Sequence, residues 1–472
     1  MGIPRTVARN TLVLVIGQLA SRVITALVGI YLVRYLGSLG LGKFSVVLAY
    51  LLFFRIFADF GLDVIVVREI SKDKARTGQI VGNATTLKLG LSVLAMVMAW
   101  IALFFMHYPS DVKACIYVAS FGIPLSLGTL YGALFQARLR MEYPVAIDVL
   151  IQFLSAGLTL LLIIFGASIM HLFILNVWIA LLNTLLMLAL ARKHTQLNLR
   201  FETAVWRRLL AASWPIALQA IFVTIYMRID QLLLFQVKGE EALGYYSAAV
   251  RLTEFARILP LAFIGAVFPL MSSFAAHSEE PFIKAYQRSF KYMATLIAPI
   301  TVGVTLLAKP LIFVIYGREF LPSASALAVL IWSEVVAFLG VINNKILIAT
   351  DKQKWDALFT GAIAVVNVVL CIALIPRYSF IGASLATTLS HMVGPLIGYL
   401  VPATRAYSRD MFRSLVKPFV ASLLMAFPIR YFAHSLLLSI LFGALTYLAT
   451  LVVIGGIDKE DLSLGKKAVM GT

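Results

Sequence analysis

Runs of about 20 apolar residues recur along almost the whole of this chain, and no other feature constrains its fold as tightly. A helix rises about 1.5 Å per residue, so about 20 residues cross the roughly 30 Å hydrocarbon core of a bilayer. Fourteen such stretches can be marked out, starting with 8–35 and ending with two short ones at 414–430 and 435–455. The spacing predicts an all-α polytopic membrane protein of about 14 transmembrane helices. Composition agrees: 61% of the residues are hydrophobic and only 13% are charged, whereas soluble domains carry about 25% charged residues.

The net charge of +18 would suggest nucleic acid in a soluble protein. In a membrane protein basic residues collect on cytoplasmic loops. With Arg5 and Arg9 placed in the cytoplasm, 25 of the 40 Lys and Arg fall on loops or tails of that side, 7 on the other side and 8 inside spans. The alternation holds to the end of the chain. Both termini are therefore expected in the cytoplasm, and no nucleic-acid partner is expected. The first apolar stretch is too long for a cleavable signal peptide. Cys115 and Cys371 lie in apolar spans without metal-ligand spacing and read as buried free thiols.

The two halves resemble each other. Residues 41–57, LGKFSVVLAYLLFFRIF, align without gaps on 243–259, LGYYSAAVRLTEFARIL, with six of seventeen positions identical. Arg55 falls on Arg257, and Gly37 on Gly239. The longest polar connection, about 192–208, divides the halves. The expected organisation is an N-terminal lobe over 1–195 (helices 1–6), a C-terminal lobe over 196–404 (helices 7–12), and a C-terminal helix pair with tail over 405–472. Six spans per repeat is an even number, so the repeats share one orientation and can expose a central site alternately to either face.

Charges inside the spans carry the functional signal. An Arg at mid-bilayer costs roughly 2.5–3.5 kcal/mol on the insertion scale, so such residues face a polar space or a partner. Arg22, Arg55 and Arg257 fall near the middle of spans one, two and eight, with Arg251 nearer the outer end. Local pairing explains some of this charge: Arg55 with Asp59, and Glu254 with Arg251 or Arg257, stand at helical spacing. The excess remains positive. Guanidinium groups stay charged when buried and bind phosphate oxygens bidentately, so the pattern points to an anionic phosphate or pyrophosphate ligand. Asp230, toward the outer end of span seven, reads as an interfacial anchor or as part of a cation site with Asn367 in span eleven. Glu334 reads as an interhelical contact or as part of the wet inner end of span ten, and Lys88 as a side chain snorkelling inward to the interface.

No catalytic constellation stands out. The six histidines are scattered, and no phosphate-binding glycine loop follows a strand. The expectation is a protein that is not an enzyme and carries no metal or other cofactor, with coupling to sodium or protons left open.

Several motifs carry a family resemblance. They are YLVRYLGSLGLGKFSVVLAYLLFFRIFADFGLDVIVVREIS in the first two spans, IDQLLL and GEEALGYYSAAVRLTEFARILP in the second half, and FVIYGREFLPSASAL between spans nine and ten. In these the chain resembles lipid-linked oligosaccharide flippases of the O-antigen and polysaccharide type, within the multidrug/oligosaccharidyl-lipid/polysaccharide exporter superfamily. The resemblance implies two six-helix lobes around a central cavity lined by helices one, two, seven and eight. Arg22, Arg55, Arg251 and Arg257 would then stand at the cavity wall. It also implies a terminal helix pair that holds a lipid tail, and a sodium-site aspartate matched loosely by Asp230.

The function expected is translocation of a polyprenyl-(pyro)phosphate-linked oligosaccharide across the cytoplasmic membrane by alternating access, for cell-surface polysaccharide synthesis. The expected partners are that glycolipid, membrane lipids and other polysaccharide assembly proteins. A multidrug cation antiporter of the same fold would need an acidic cavity, whereas arginines outnumber acids in these spans. A glycan ligase or polymerase would need a large outer loop, and the outer loops are short.

Overall fold

The computed structural model describes residues 3–195, 199–257 and 279–457, together with positions 260, 263, 267 and 274; its described side chains begin at Ile24. Among the described residues there is no strand. The helices are α1 (Ile3–Asp59), α2 (Leu62–Lys72), α3 (Thr77–Phe104), α4 (Ser110–Ser120), α5 (Leu127–Ala137), α6 (Glu142–Ile164), α7 (Ile169–His194), α8 (Thr203–Ala256), α9 (Glu279–Tyr316), α10 (Ser323–Ala349), α11 (Gln353–Leu400), α12 (Arg405–Tyr431) and α13 (Leu436–Val453). Ten helical segments among the described residues are long and apolar enough to cross a membrane, and the chain is a multi-pass membrane protein.

Three helices, α1, α8 and α11, are long enough for two crossings, at 57, 54 and 48 residues. A straight helix of 54 residues, the length of α8, would run about 80 Å. Each of the three is broken. Gly37 interrupts α1 at φ 63°, ψ −176°, and Gly239 interrupts α8 at φ 80°, ψ −167°. The two glycines hold nearly the same backbone conformation, in a region open almost only to glycine, and they are the pair that the internal repeat superimposes. Ser379 breaks α11 at φ 51°, ψ −132°.

Contacts divide the chain into two compact units, residues 1–244 and 245–472. In the first unit α2 buries Leu62, Ile65, Val66 and Ile70, the spacing of one apolar helix face. That face packs with Val81 and Leu87 of α3, Leu130 and Leu134 of α5, Met187 of α7 and Leu209 at the start of α8. The polar connection before α8 is anchored here. Gln79 Nε2 donates to Glu202 Oε2 at 2.7 Å, and the Glu202 amide donates to Asn83 Oδ1 at 2.8 Å. Arg208 Nη2 lies 2.6 Å from Glu69 Oε2. Burial alone would raise the Glu69 pKa, but the Lys72 hydrogen bond and the charges of Arg208, Lys72 and Arg68 outweigh it and hold the carboxyl below its usual range.

Just past the two glycine breaks the backbones meet closely and reciprocally. A Cβ on Gly42 would overlap the Glu240 carbonyl oxygen, and a Cβ on Gly244 would overlap that of Ser38. Ser38 and Gly42 map onto Glu240 and Gly244 in the repeat, so this contact follows the internal symmetry. Small residues permit such backbone approach between helices in lipid.

In the second unit Phe282, Tyr286, Phe290, Met293 and Ile297 form the buried stripe of α9 and pack on Val335, Phe338, Leu339, Ile342 and Ile346 of α10. A second cluster joins α9, α12 and α13 through Val302, Leu307, Met425, Ile429, Tyr447 and Leu451. Cys115 and Cys371 are both buried and free.

Candidate functional site

Asp59 is the last residue of α1. Phe60 and Gly61 follow at φ 47° and φ 74°, both in the left-handed region, and the chain turns into α2 with Asp63 near its start. The break presents both carboxylates to Lys88 of α3. Lys88 Nζ lies 2.7 Å from Asp59 Oδ1, 2.6 Å from Asp63 Oδ1 and 2.9 Å from Thr129 Oγ1. The three donors of the ammonium are thereby matched to three acceptors, and the side chain is 1% exposed. This corrects two expectations. Lys88 does not snorkel to an interface, and Asp59 does not pair with Arg55. The i, i+4 pairing assumed a helix that continues past Asp59, whereas it ends there and the acid turns to the buried lysine.

The consequence falls on Arg55. Among the described residues its guanidinium has no acidic or hydrogen-bonding partner, and the residue is exposed. It lies beside the turn after α4, where a Cβ added to Gly122 would stand 3.5 Å from Arg55 Nη2. Among the described residues the donors of Arg55 are thus uncommitted.

Its repeat counterpart is held differently. Arg257 Nε lies 3.0 and 2.8 Å from Oε1 and Oε2 of Glu334, and Nη2 lies 2.7 Å from Oε1. Glu334 is a fully buried residue of α10, and the Arg257 side chain is 27% exposed. The fork is a bidentate, charge-assisted contact. Glu254 and His391 lie within electrostatic reach of these residues. His391 Nδ1 stands 2.7 Å from the Thr387 carbonyl oxygen. Arg251 and Glu254 sit half-buried on α8, one turn apart. Arg22 lies on α1, but its side chain is outside the described residues.

The pair considered for a cation divides between the units. Asp230, in the first, is buried, and its Oδ1 accepts the Gln231 amide at 2.7 Å. Asn367, in the second, is buried and donates to Ser390 Oγ at 3.2 Å; its Oδ1 faces the Cys371 thiol at 3.9 Å. No cluster of three or more His, Cys, Asp or Glu fit for a metal occurs among the described residues.

Sequence spacing missed Asp63 and Thr129 as partners of Lys88. A lysine in an otherwise apolar span with two acids at the preceding helix end is the signal that could have found them. The role of Glu334 as the acceptor of the Arg257 fork is 77 residues distant in sequence and left no local mark.

A family profile described as polysaccharide biosynthesis protein matches residues 7–275, and one described as MatE matches residues 215–373. A probable low-salt glycan biosynthesis flippase, Agl15, of Haloferax volcanii is 25% identical over 213 residues, which are 43% of this chain and 45% of that protein. The lipid II flippase MurJ of Bacillus subtilis is 31% identical over 134 residues, 28% of this chain and 24% of that protein. The matched stretches span less than half the length of either curated relative. Among solved structures, a lipid II flippase MurJ in an inward closed conformation superposes with a TM-score of 0.78 at 15% identity, covering 94% of this chain and 98% of that one. That likeness is one of fold.

Proposed function

The chain belongs to the polysaccharide biosynthesis protein family, and on that premise we propose that it is a flippase for a polyprenyl-(pyro)phosphate-linked oligosaccharide in the cytoplasmic membrane. The observation that carries the reading is Arg55, a mid-span cation whose neighbouring acids are both taken by Lys88. An unneutralised guanidinium at that depth is costly in lipid. It is explained by an anionic ligand that visits it, and a phosphate oxygen pair fits the fork.

Arg55 makes the first contact with the phosphate. Arg22, Arg251 and Arg257 are the further arginines to probe as phosphate ligands, with Glu334 fixing the orientation of Arg257. The glycan rides among polar groups and the polyprenyl tail stays in lipid. Turnover is by alternating access of the two repeats, and sodium or protons supply the coupling, with Asp230 and Asn367 as the residues to probe. The chain acts as a transporter and not as an enzyme.

The same reading takes each broken helix as two spans. Splitting α1 at Gly37, α8 at Gly239 and α11 at Ser379, and joining α4 with α5, supports fourteen crossings with both termini in the cytoplasm. A multidrug cation antiporter is disfavoured by the same residue, because an uncompensated Arg55 repels a cationic drug.

The test is genetic and chemical. Deleting the gene in its own organism is expected to strand a lipid-linked glycan on the cytoplasmic side, where extraction and mass analysis identify it. Normal surface glycan together with lost drug resistance would overturn the reading.

A further inference from the structure

In the second unit, α9, α12 and the residues after α13 line an open cavity of about 340 Å³. Its charged lining is Lys291, Arg413, Lys417 and Asp410, three cations against one acid. Asp410 is already engaged by other groups. Gln287 Nε2 donates to its Oδ2 at 2.8 Å, Tyr286 Oη lies 3.2 Å from the same oxygen, and Arg409 Nε lies 3.7 Å from Oδ1. Arg413 has no hydrogen-bonding or acidic partner among the described residues, and Lys417 Nζ donates to the Gly455 carbonyl at 2.7 Å. The lysine retains two further donors and the arginine all five.

Arg413 and Lys417 stand four apart on α12, so their charges share one face and repel. A bound anion relieves that repulsion. The same face continues one and two turns on with Val420 and Leu424, each 45% exposed. A cationic end followed by an exposed apolar strip matches an amphiphile with an anionic head and hydrocarbon chains. The wall is pinned by Tyr447 of α13, whose hydroxyl donates to the Thr295 carbonyl of α9 at 2.7 Å. The volume falls within the range of small-molecule sites, and basic pockets between transmembrane helices are a recognised setting for anionic headgroups.

We propose that this cavity is a binding site for the phosphodiester headgroup of an anionic phospholipid, with Arg413 and Lys417 as its phosphate ligands and Val420 and Leu424 as the start of its acyl track. On the orientation proposed above, the lipid belongs to the cytoplasmic leaflet. The site concerns a resident lipid and stands or falls separately from the transported glycolipid.

The test uses the full chain in detergent, with lipid binding followed by native mass spectrometry. Phosphatidylglycerol is expected to bind. Each of Arg413→Ala and Lys417→Ala is expected to weaken it about fivefold, and the pair together about 25-fold, from about 1 kcal/mol per basic side chain. Arg413→Lys should retain most of the binding, and Lys354→Ala should change nothing. Thermal unfolding of each variant checks the fold, and the single Arg413→Ala, which breaks no described contact, keeps the test open if the double variant fails to fold. Unchanged affinity in Arg413→Ala and Lys417→Ala would overturn the proposal. So would equal binding of phosphatidylcholine, displacement by millimolar inorganic phosphate, or selective binding of a polyprenyl phosphate in place of phosphatidylglycerol.

Discussion

Removing the Arg257 guanidinium strands a carboxylate that no water reaches. Glu334 is fully buried and accepts three close contacts from Arg257, at 2.7, 2.8 and 3.0 Å. Breaking a buried pair from one side costs about 3–5 kcal/mol, most of it from the uncompensated charge left behind. Because the Arg257 side chain is 27% exposed, solvent can enter the vacated space, and the lower end, about 3 kcal/mol, is expected for Arg257→Ala. Replacing both partners with apolar side chains removes the stranded charge. Arg257→Met combined with Glu334→Leu should therefore return to within about 1 kcal/mol of the parent. Arg55→Ala is the internal control: it breaks no contact and should stay within about 0.5 kcal/mol. Unfolding in detergent micelles, read by tryptophan fluorescence against denaturant, measures all four proteins. Equal stability of the two single alanine variants, or a double variant no better than Arg257→Ala, would refute the reasoning.

Three further outcomes follow from the same structure. Lys88→Met leaves Asp59 and Asp63 facing each other without their cation and should cost about 3 kcal/mol, while Asp59→Asn, at the more exposed acid, should cost less; the same unfolding assay ranks them. Gly42→Ala and Gly244→Ala each drive a methyl into a backbone carbonyl, so each should lower stability by more than about 1 kcal/mol, whereas Gly132→Ala, with open space at its Cβ, should not. Glu69 has a lowered pKa, so its grip on Arg208 is present above its ordinary value of 4.5 and is lost as pH falls through the lower folded value; the protection of amides at the start of α8, after correction for intrinsic exchange, should fall as pH drops below about 4.5 and stay flat from pH 6 to 8.

The sequence carried the helical architecture because its signals are local. Apolar runs of spanning length mark the helices, and the match of Gly37 with Gly239 anticipated two breaks that share one backbone conformation. It also carried the positions of Arg55 and Arg257 as repeat counterparts. Their partners were not legible. Helical spacing offered Asp59 to Arg55, but Phe60 and Gly61 end the helix and hand the acid to Lys88, which stands 29 residues away. The acceptor of the Arg257 fork, Glu334, sits on α10, 77 residues away and beyond the reach of helical spacing. Which charges neutralise each other in an apolar bundle depends on helix packing, and packing brings together residues that the one-dimensional pattern separates. The basic cavity shows the same limit, because its charged lining comes from α9 and α12 and its wall from the residues after α13.

The central claim is that Arg55 is the uncommitted cation that meets the phosphate of a lipid-linked glycan. Reconstitution in proteoliposomes with a fluorescent polyprenyl-pyrophosphate oligosaccharide, read by the fraction protected from an external quencher, tests it most directly. The account predicts translocation by the parent protein, a loss of about tenfold or more in Arg55→Ala, consistent with one charge-assisted contact of about 1.5–3 kcal/mol, and partial activity in Arg55→Lys. Translocation by Arg55→Ala at the parent rate, at equal incorporation, would contradict it.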